Sequence, residues 1–194
     1  MKGNAHLIVC FGGRALKFGG ILPFEFLNYL SITYTTDVDF VFLIDKNQCW
    51  YHKGIADITN NIDETIVHLN TIVAQGNYKK VLFMGISAGG YAAILFGSLC
   101  NKVDGVIAFM PQTILKNPID EHYTNLRTVL NTTTKYMIHG HTGISNIHDI
   151  HHISHCENIE DHSNVTIIRQ HGCNMKVLRD TGVIKKYIDD MLFG

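Results

Sequence analysis

Five residues, Gly85-Ile86-Ser87-Ala88-Gly89, constrain this chain more than any others. They form a G-x-S-x-G pattern, with the apolar run Val81–Met84 before it and the small, helix-favouring stretch Ala88–Leu99 after it. The run reads as a strand buried on both faces and the stretch as a helix. A serine at the tip of so sharp a strand-to-helix turn is held in a strained conformation, and side chains two residues to either side would clash. Glycine at both places removes the clash. The turn lifts the Ser87 Oγ above the sheet, beside the positive end of the next helix, so Ser87 is a candidate nucleophile. The plain alternative is a glycine-rich structural turn. Against it stand Gly90, Ala92 and Ala93, which let the helix approach the sheet closely.

Either side of this turn, apolar β-branched runs alternate with helical spacings. Strands are expected over Ala5–Phe11, Val38–Ile44, Val81–Met84, Gly105–Met110, Lys135–His139 and Val165–Arg169. Helices are expected over Phe24–Ser31, Ile62–Gln75 (with Asn61 as cap), Ala88–Leu99, Ile119–Leu130, Asn146–His155 and Met175–Leu192. Such alternation gives an α/β chain: a parallel sheet with helices on both faces and functional residues at the carboxyl ends of the strands. No linker, repeat or low-complexity tract divides the 194 residues, so one domain over 1–194 is expected.

The strand–turn–helix setting of Gly85–Gly89 resembles the nucleophile elbow of the α/β-hydrolases. The resemblance implies a three-layer α/β/α fold with a six-stranded, mainly parallel sheet in the order 2-1-3-4-5-6. It also implies a minimal, cap-less member, since Pro111–Thr134 holds little more than one helix. It further implies a serine, an acid and a histidine in that chain order. His171, just past the last strand, is the expected base. The position usual for the acid, after His141-Thr142-Gly143-Ile144, carries no carboxylate, and Asp149 is the first one beyond it. Glu157, Glu160 and Asp161 are the alternatives. The oxyanion hole is expected from the Ala88 N–H and from the Gly12-Gly13 loop after the first strand. Arg14 stands where it reaches a substrate anion. Trp50 and Tyr51, past the second strand, either line the substrate cleft or pack under a loop, and Met110, past the fourth, is expected to line the cleft.

The remaining composition mostly excludes. A net charge of −1 gives no support for nucleic-acid or membrane-surface binding. Five scattered cysteines without a C-x-x-C pair read as reduced thiols in a cytoplasmic protein. The Met1–Gly12 stretch has neither the length nor the cleavage site of a signal peptide, and no run is long enough to span a membrane. Most of the 12 histidines fall between His139 and His171. His139 and His141 alternate on a strand end and His148, His151, His152 and His155 have helical spacings, but no H-E-x-x-H or Cys/His finger spacing accompanies them. They are therefore expected to face solvent near the cleft mouth, with no metal and no cofactor. The expected function is a serine hydrolase, an esterase or deacylase acting on a small-molecule ester or acylated glycan. An acyltransferase of the same fold and a non-catalytic binding module are the alternatives.

Overall fold

The computed structural model describes residues 5–194, so the start of the Met1–Gly12 stretch lies outside the described residues. Six strands form the sheet: β1 (His6–Phe11), β2 (Val38–Leu43), β3 (Lys80–Ile86), β4 (Gly105–Phe109), β5 (Lys135–His141) and β6 (Val165–Gln170). All pair in parallel, in the order β2-β1-β3-β4-β5-β6. Phe11 aligns with Gly85, and Ile86 with Phe109, so the carboxyl ends of β1, β3 and β4 finish side by side.

Period-two alternation along the central strands separates two cores. Leu7, Val9 and Phe11 face one side, where they meet Leu69 and Val73 of α2 (Ile62–Gly76) and Tyr91 and Phe96 of α3 (Ala88–Leu99). Ile8, Cys10, Leu82 and Met84 face the other. There they pack on Phe26 and Leu30 of α1 (Pro23–Thr33) and on Leu178, Ile184 and Ile188. Each fully buried leucine or phenylalanine contributes ~1.5–3 kcal/mol relative to exposure. Asn61 caps α2 as its sequence implies, its side chain accepting from the Glu64 N–H at 2.8 Å.

Two expected helices do not form, for one reason. Over Ile119–Leu130 the chain makes only single 3₁₀ turns, Glu121–Tyr123 and Leu126–Thr128. The Asp120 and Asn125 side chains accept from the backbone N–H groups of His122 and Arg127, offering the backbone an alternative to the α-helix. Over Asn146–His155 the side chains of Asn146 and Asp149 do the same to His148 and His151. Only α4 (Ser154–Glu157) remains helical there. The expected helix over Met175–Leu192 is divided into α5 (Met175–Asp180) and α6 (Val183–Leu192) by Gly182 at φ 76°. Among the described residues no helix is long and apolar enough to cross a membrane.

Candidate active site

Ser87 occupies the tip of the turn between β3 and α3 at φ 55° and ψ −120°. Its N–H donates to the Phe109 carbonyl of β4 at 2.9 Å, which pins the turn to the sheet. The flanking glycines are required by the backbone rather than by the serine side chain. A Cβ on Gly85 would lie 2.0 Å from the Gly89 carbonyl oxygen, and one on Gly89 2.1 Å from the Phe11 carbonyl oxygen. Between Val81 and Gly90 only Ser87 is not buried.

The ring that meets Ser87 is that of His151, with Nε2 2.8 Å from Oγ. His151 reaches it from the loop between β5 and α4. Asp149, two residues earlier, accepts the His151 backbone N–H at 2.8 Å, and its Oδ1 lies 4.0 Å from His151 Nδ1. That separation is within Coulombic range and beyond hydrogen-bond length. Burial is the first influence on His151 and lowers its pKa; the Asp149 carboxylate acts the other way, and His141 adds to the lowering. The ring is thus held neutral, with a nitrogen lone pair free to accept a proton.

The structure does not bring His171 to Ser87. Three strand spacings, about 14 Å at ~4.8 Å each, separate β6 from β3. His171 follows β6 directly, and Gly172 (φ 84°) then turns the chain towards α5. The exposed His171 ring instead lies beside His141, at 6.1 Å between centroids. The loop after β5 is long enough to cross over β4, and that places His151. The solvent-facing reading of the histidine-rich stretch also needs correction at His139, which is fully buried and bonded to Gln170 at 3.0 Å. Glu157 and Glu160 pair with Arg169, and Asp161 with Arg127. Among the described residues no group of three or more His, Cys, Asp and Glu side chains is arranged to hold a metal ion.

Three more positions differ from expectation. The Gly12 N–H donates to the Leu43 carbonyl at 2.9 Å and the Gly13 N–H to the Lys17 carbonyl at 2.8 Å, so neither is free for an oxyanion. Gly13 N is held because the chain folds back on itself over Gly13–Lys17. Tyr51 is fully buried, and its hydroxyl sits 2.9 Å from the Gly12 carbonyl and 3.0 Å from that of Leu43. It ties the ends of β1 and β2 and does not line the cleft. Neither the N–H of Ala88, directly after Ser87, nor that of Arg14, which lines the same cleft as Ser87, has a partner within the described residues.

A cleft of about 650 Å³ opens above Ser87 and His151, walled by Arg14, Met110, Ile150 and Met175. A smaller lobe of about 330 Å³ adjoins it; Arg14 and Ile150 border both. Trp50 lines the smaller lobe, with its Nε1 donating to Gln112 and the Arg14 guanidinium 5.3 Å from its ring centroid.

No protein-family model and no curated protein sequence matches the chain. Solved structures do. The 2,6-dihydroxy-pseudo-oxynicotine hydrolase superposes with a TM-score of 0.67 at 13% identity, over 98% of this chain and 62% of that one. A bifunctional GH43-CE protein of Bacteroides eggerthii matches at 0.64 and 14% identity, over 97% of this chain. The chain spans only 34% of that protein's length. Esterase 2 of Thermogutta terrifontis, phosphorylated by paraoxon, matches at 0.64 and 11% identity, over 100% of this chain and 86% of its own. With the sheet order, the elbow and these likenesses together, the chain is assigned to the α/β-hydrolase fold.

Proposed function

We propose that this protein is a serine hydrolase that cleaves carboxylic esters through an acyl-enzyme on Ser87. The observation that carries the reading is the 2.8 Å contact between Ser87 Oγ and His151 Nε2 at a backbone-strained strand-to-helix turn. His151, kept neutral by burial, takes the Oγ proton as Oγ attacks the ester carbonyl. The Ala88 and Arg14 N–H groups receive the oxyanion, aided by the positive end of α3. The tetrahedral species collapses, the C–O bond to the alcohol breaks, and His151 returns the proton to the departing oxygen. Water then repeats the sequence on the acyl-enzyme. Asp149, with Oδ1 4.0 Å from His151 Nδ1, stabilises the imidazolium that forms when Nε2 takes the proton.

In this reading His151 takes the base role expected of His171, and Arg14 takes the oxyanion role expected of Gly12 and Gly13. The paraoxon-modified esterase among the structural neighbours supports the same chemistry. A neutral fluorophosphonate probe tests it. Labelling confined to Ser87, and lost in Ser87→Ala with the fold intact by circular dichroism, is the expected result. Labelling that persists in Ser87→Ala overturns it.

A further inference from the structure

Arg127, Arg169 and Arg179 each hold a carboxylate. Arg14 holds none and instead lies over the Trp50 ring. Trp50 is itself held in place. Its backbone is at φ 56°, in a loop whose Asn47, Cys49 and Tyr51 N–H groups donate to the Asp45 carboxylate, and its Nε1 is bonded to the buried Gln112. Positive φ at a tryptophan costs of order 1–3 kcal/mol and persists only where surrounding contacts enforce it. Here they enforce a rigid aromatic shelf with a guanidinium on it. A guanidinium carries its donors around the edge of its plane, so the cation over the ring keeps them available to a ligand.

Lys116 lines the same small lobe, and Lys17 and Lys176 line the main cleft beyond Arg14. No aspartate or glutamate lines either lobe, although the whole chain has a net charge of −1. The cations are therefore gathered at the cleft on a protein that is not basic overall. A concave site lined by one sign of charge concentrates ligands of the other.

We infer that the small lobe between Trp50 and Lys116 seats an anionic group, a carboxylate or a phosphate, carried by the ester substrate. Arg14 grips it through its planar fork and Lys116 acts as a point charge. The scissile carbonyl then lies at Ser87 in the main lobe. This last placement rests on the ester-hydrolase reading; the seating of the anion does not.

Trp50 is the only tryptophan, so its fluorescence reports on this lobe alone and without catalysis. Ser87→Ala protein is titrated with inorganic phosphate and, separately, with glutarate, against sodium chloride at equal ionic strength. A saturable change with either anion is expected; which anion binds tighter identifies the group. Arg14→Gln added to that protein should raise the Kd about tenfold and Lys116→Gln about threefold, since charge-assisted pairs are roughly twice as strong as neutral ones. A change no larger than that from chloride, or a Kd unmoved by both substitutions, overturns the inference.

In wild type, the ratio of kcat/KM for mono-4-nitrophenyl glutarate to that for 4-nitrophenyl valerate should exceed about 10 at low salt and fall as salt rises. Turnover of the neutral ester without anion preference and without a fluorescence response sinks the inference and leaves the hydrolase reading standing. A saturable response with neither ester turned over supports the anion seat and overturns the hydrolase reading.

Discussion

Replacing His151 by alanine separates the geometry of this site from the expectation built on position in the sequence. His151 Nε2 is the side-chain nitrogen in contact with Ser87 Oγ, at 2.8 Å, whereas His171 is exposed beside His141. Without His151 the hydroxyl has no proton acceptor within hydrogen-bond length among the described residues. Removing the base from such a unit lowers kcat by about 10³–10⁴-fold or more, equivalent to ~4–5.5 kcal/mol of barrier at ~1.4 kcal/mol per decade. Fold stability should barely change, because the ring is half-buried and lines an open cleft. His171→Ala should keep kcat/KM within about twofold, as expected of an exposed ring that touches no reacting atom. The assay is hydrolysis of a nitrophenyl ester, with the melting temperature of each variant measured alongside. A His171→Ala enzyme that loses three decades while His151→Ala keeps full rate would refute the reasoning and restore the base to β6.

Asp149→Asn should lower kcat by one to three decades and shift the acid limb of the kcat/KM–pH profile downward, because the Asp149 charge raises the His151 pKa and its loss lets burial act unopposed; an upward shift would contradict the pairing. In wild type that limb should fall below pH 6.5, the ordinary histidine value. His52 and His139 are buried, and burial depresses both pKa values, so the unfolded chain takes up their protons first as pH falls. Stability should therefore be level above about pH 7 and decline as pH drops through 6.5, by up to ~1.4 kcal/mol per pH unit for each histidine; a urea midpoint that rises on acidification would contradict this. Gly89→Ala places a Cβ 2.1 Å from the backbone of central strand β1. It should cost about 3 kcal/mol, lowering the melting temperature by roughly 6–12 °C; an unchanged melt would deny that the helix approaches so closely.

The sheet was legible in the sequence because the central strands β1, β3 and β4 are buried, nearly continuous apolar runs, and β2, β5 and β6 keep shorter ones between polar residues. The elbow was legible because Gly85 and Gly89 answer a backbone requirement that no other residue meets. The helices expected over 119–130 and 146–155 rest on the spacing of apolar residues and histidines, which ignores Asp120, Asn125, Asn146 and Asp149. Those four side chains turn the backbone locally, and their effect outweighs periodicity in segments with few buried contacts. The same turns explain why His151 is hidden from a reading by position. An expected helix displays its histidines to solvent, whereas a chain of tight turns can aim one of them across the sheet. The available signal was Asp149-Ile150-His151 itself, an acid and a histidine two residues apart in a loop past β5. Gly12 and Gly13 looked like oxyanion donors by composition, but only the hydrogen bonds reveal that Leu43 and Lys17 already occupy their N–H groups.

The sheet order also dictates when chemistry becomes possible during synthesis. From β3 onward each new strand adds to the same side of the sheet, β4, then β5, then β6, so that half of the sheet can be laid down as the chain leaves the ribosome. Ser87 and its helix emerge early in this series. The loop bearing His151 follows β5, and the cleft wall at Asn174–Lys176 follows β6. Gly19, in the loop after β1, waits for α5, where a Cβ at its position would stand 2.2 Å from Met175 Cγ. A nascent chain thus carries its serine with no base to activate it until His151 has been made. Reactivity arrives late, together with the walls that decide what the serine meets.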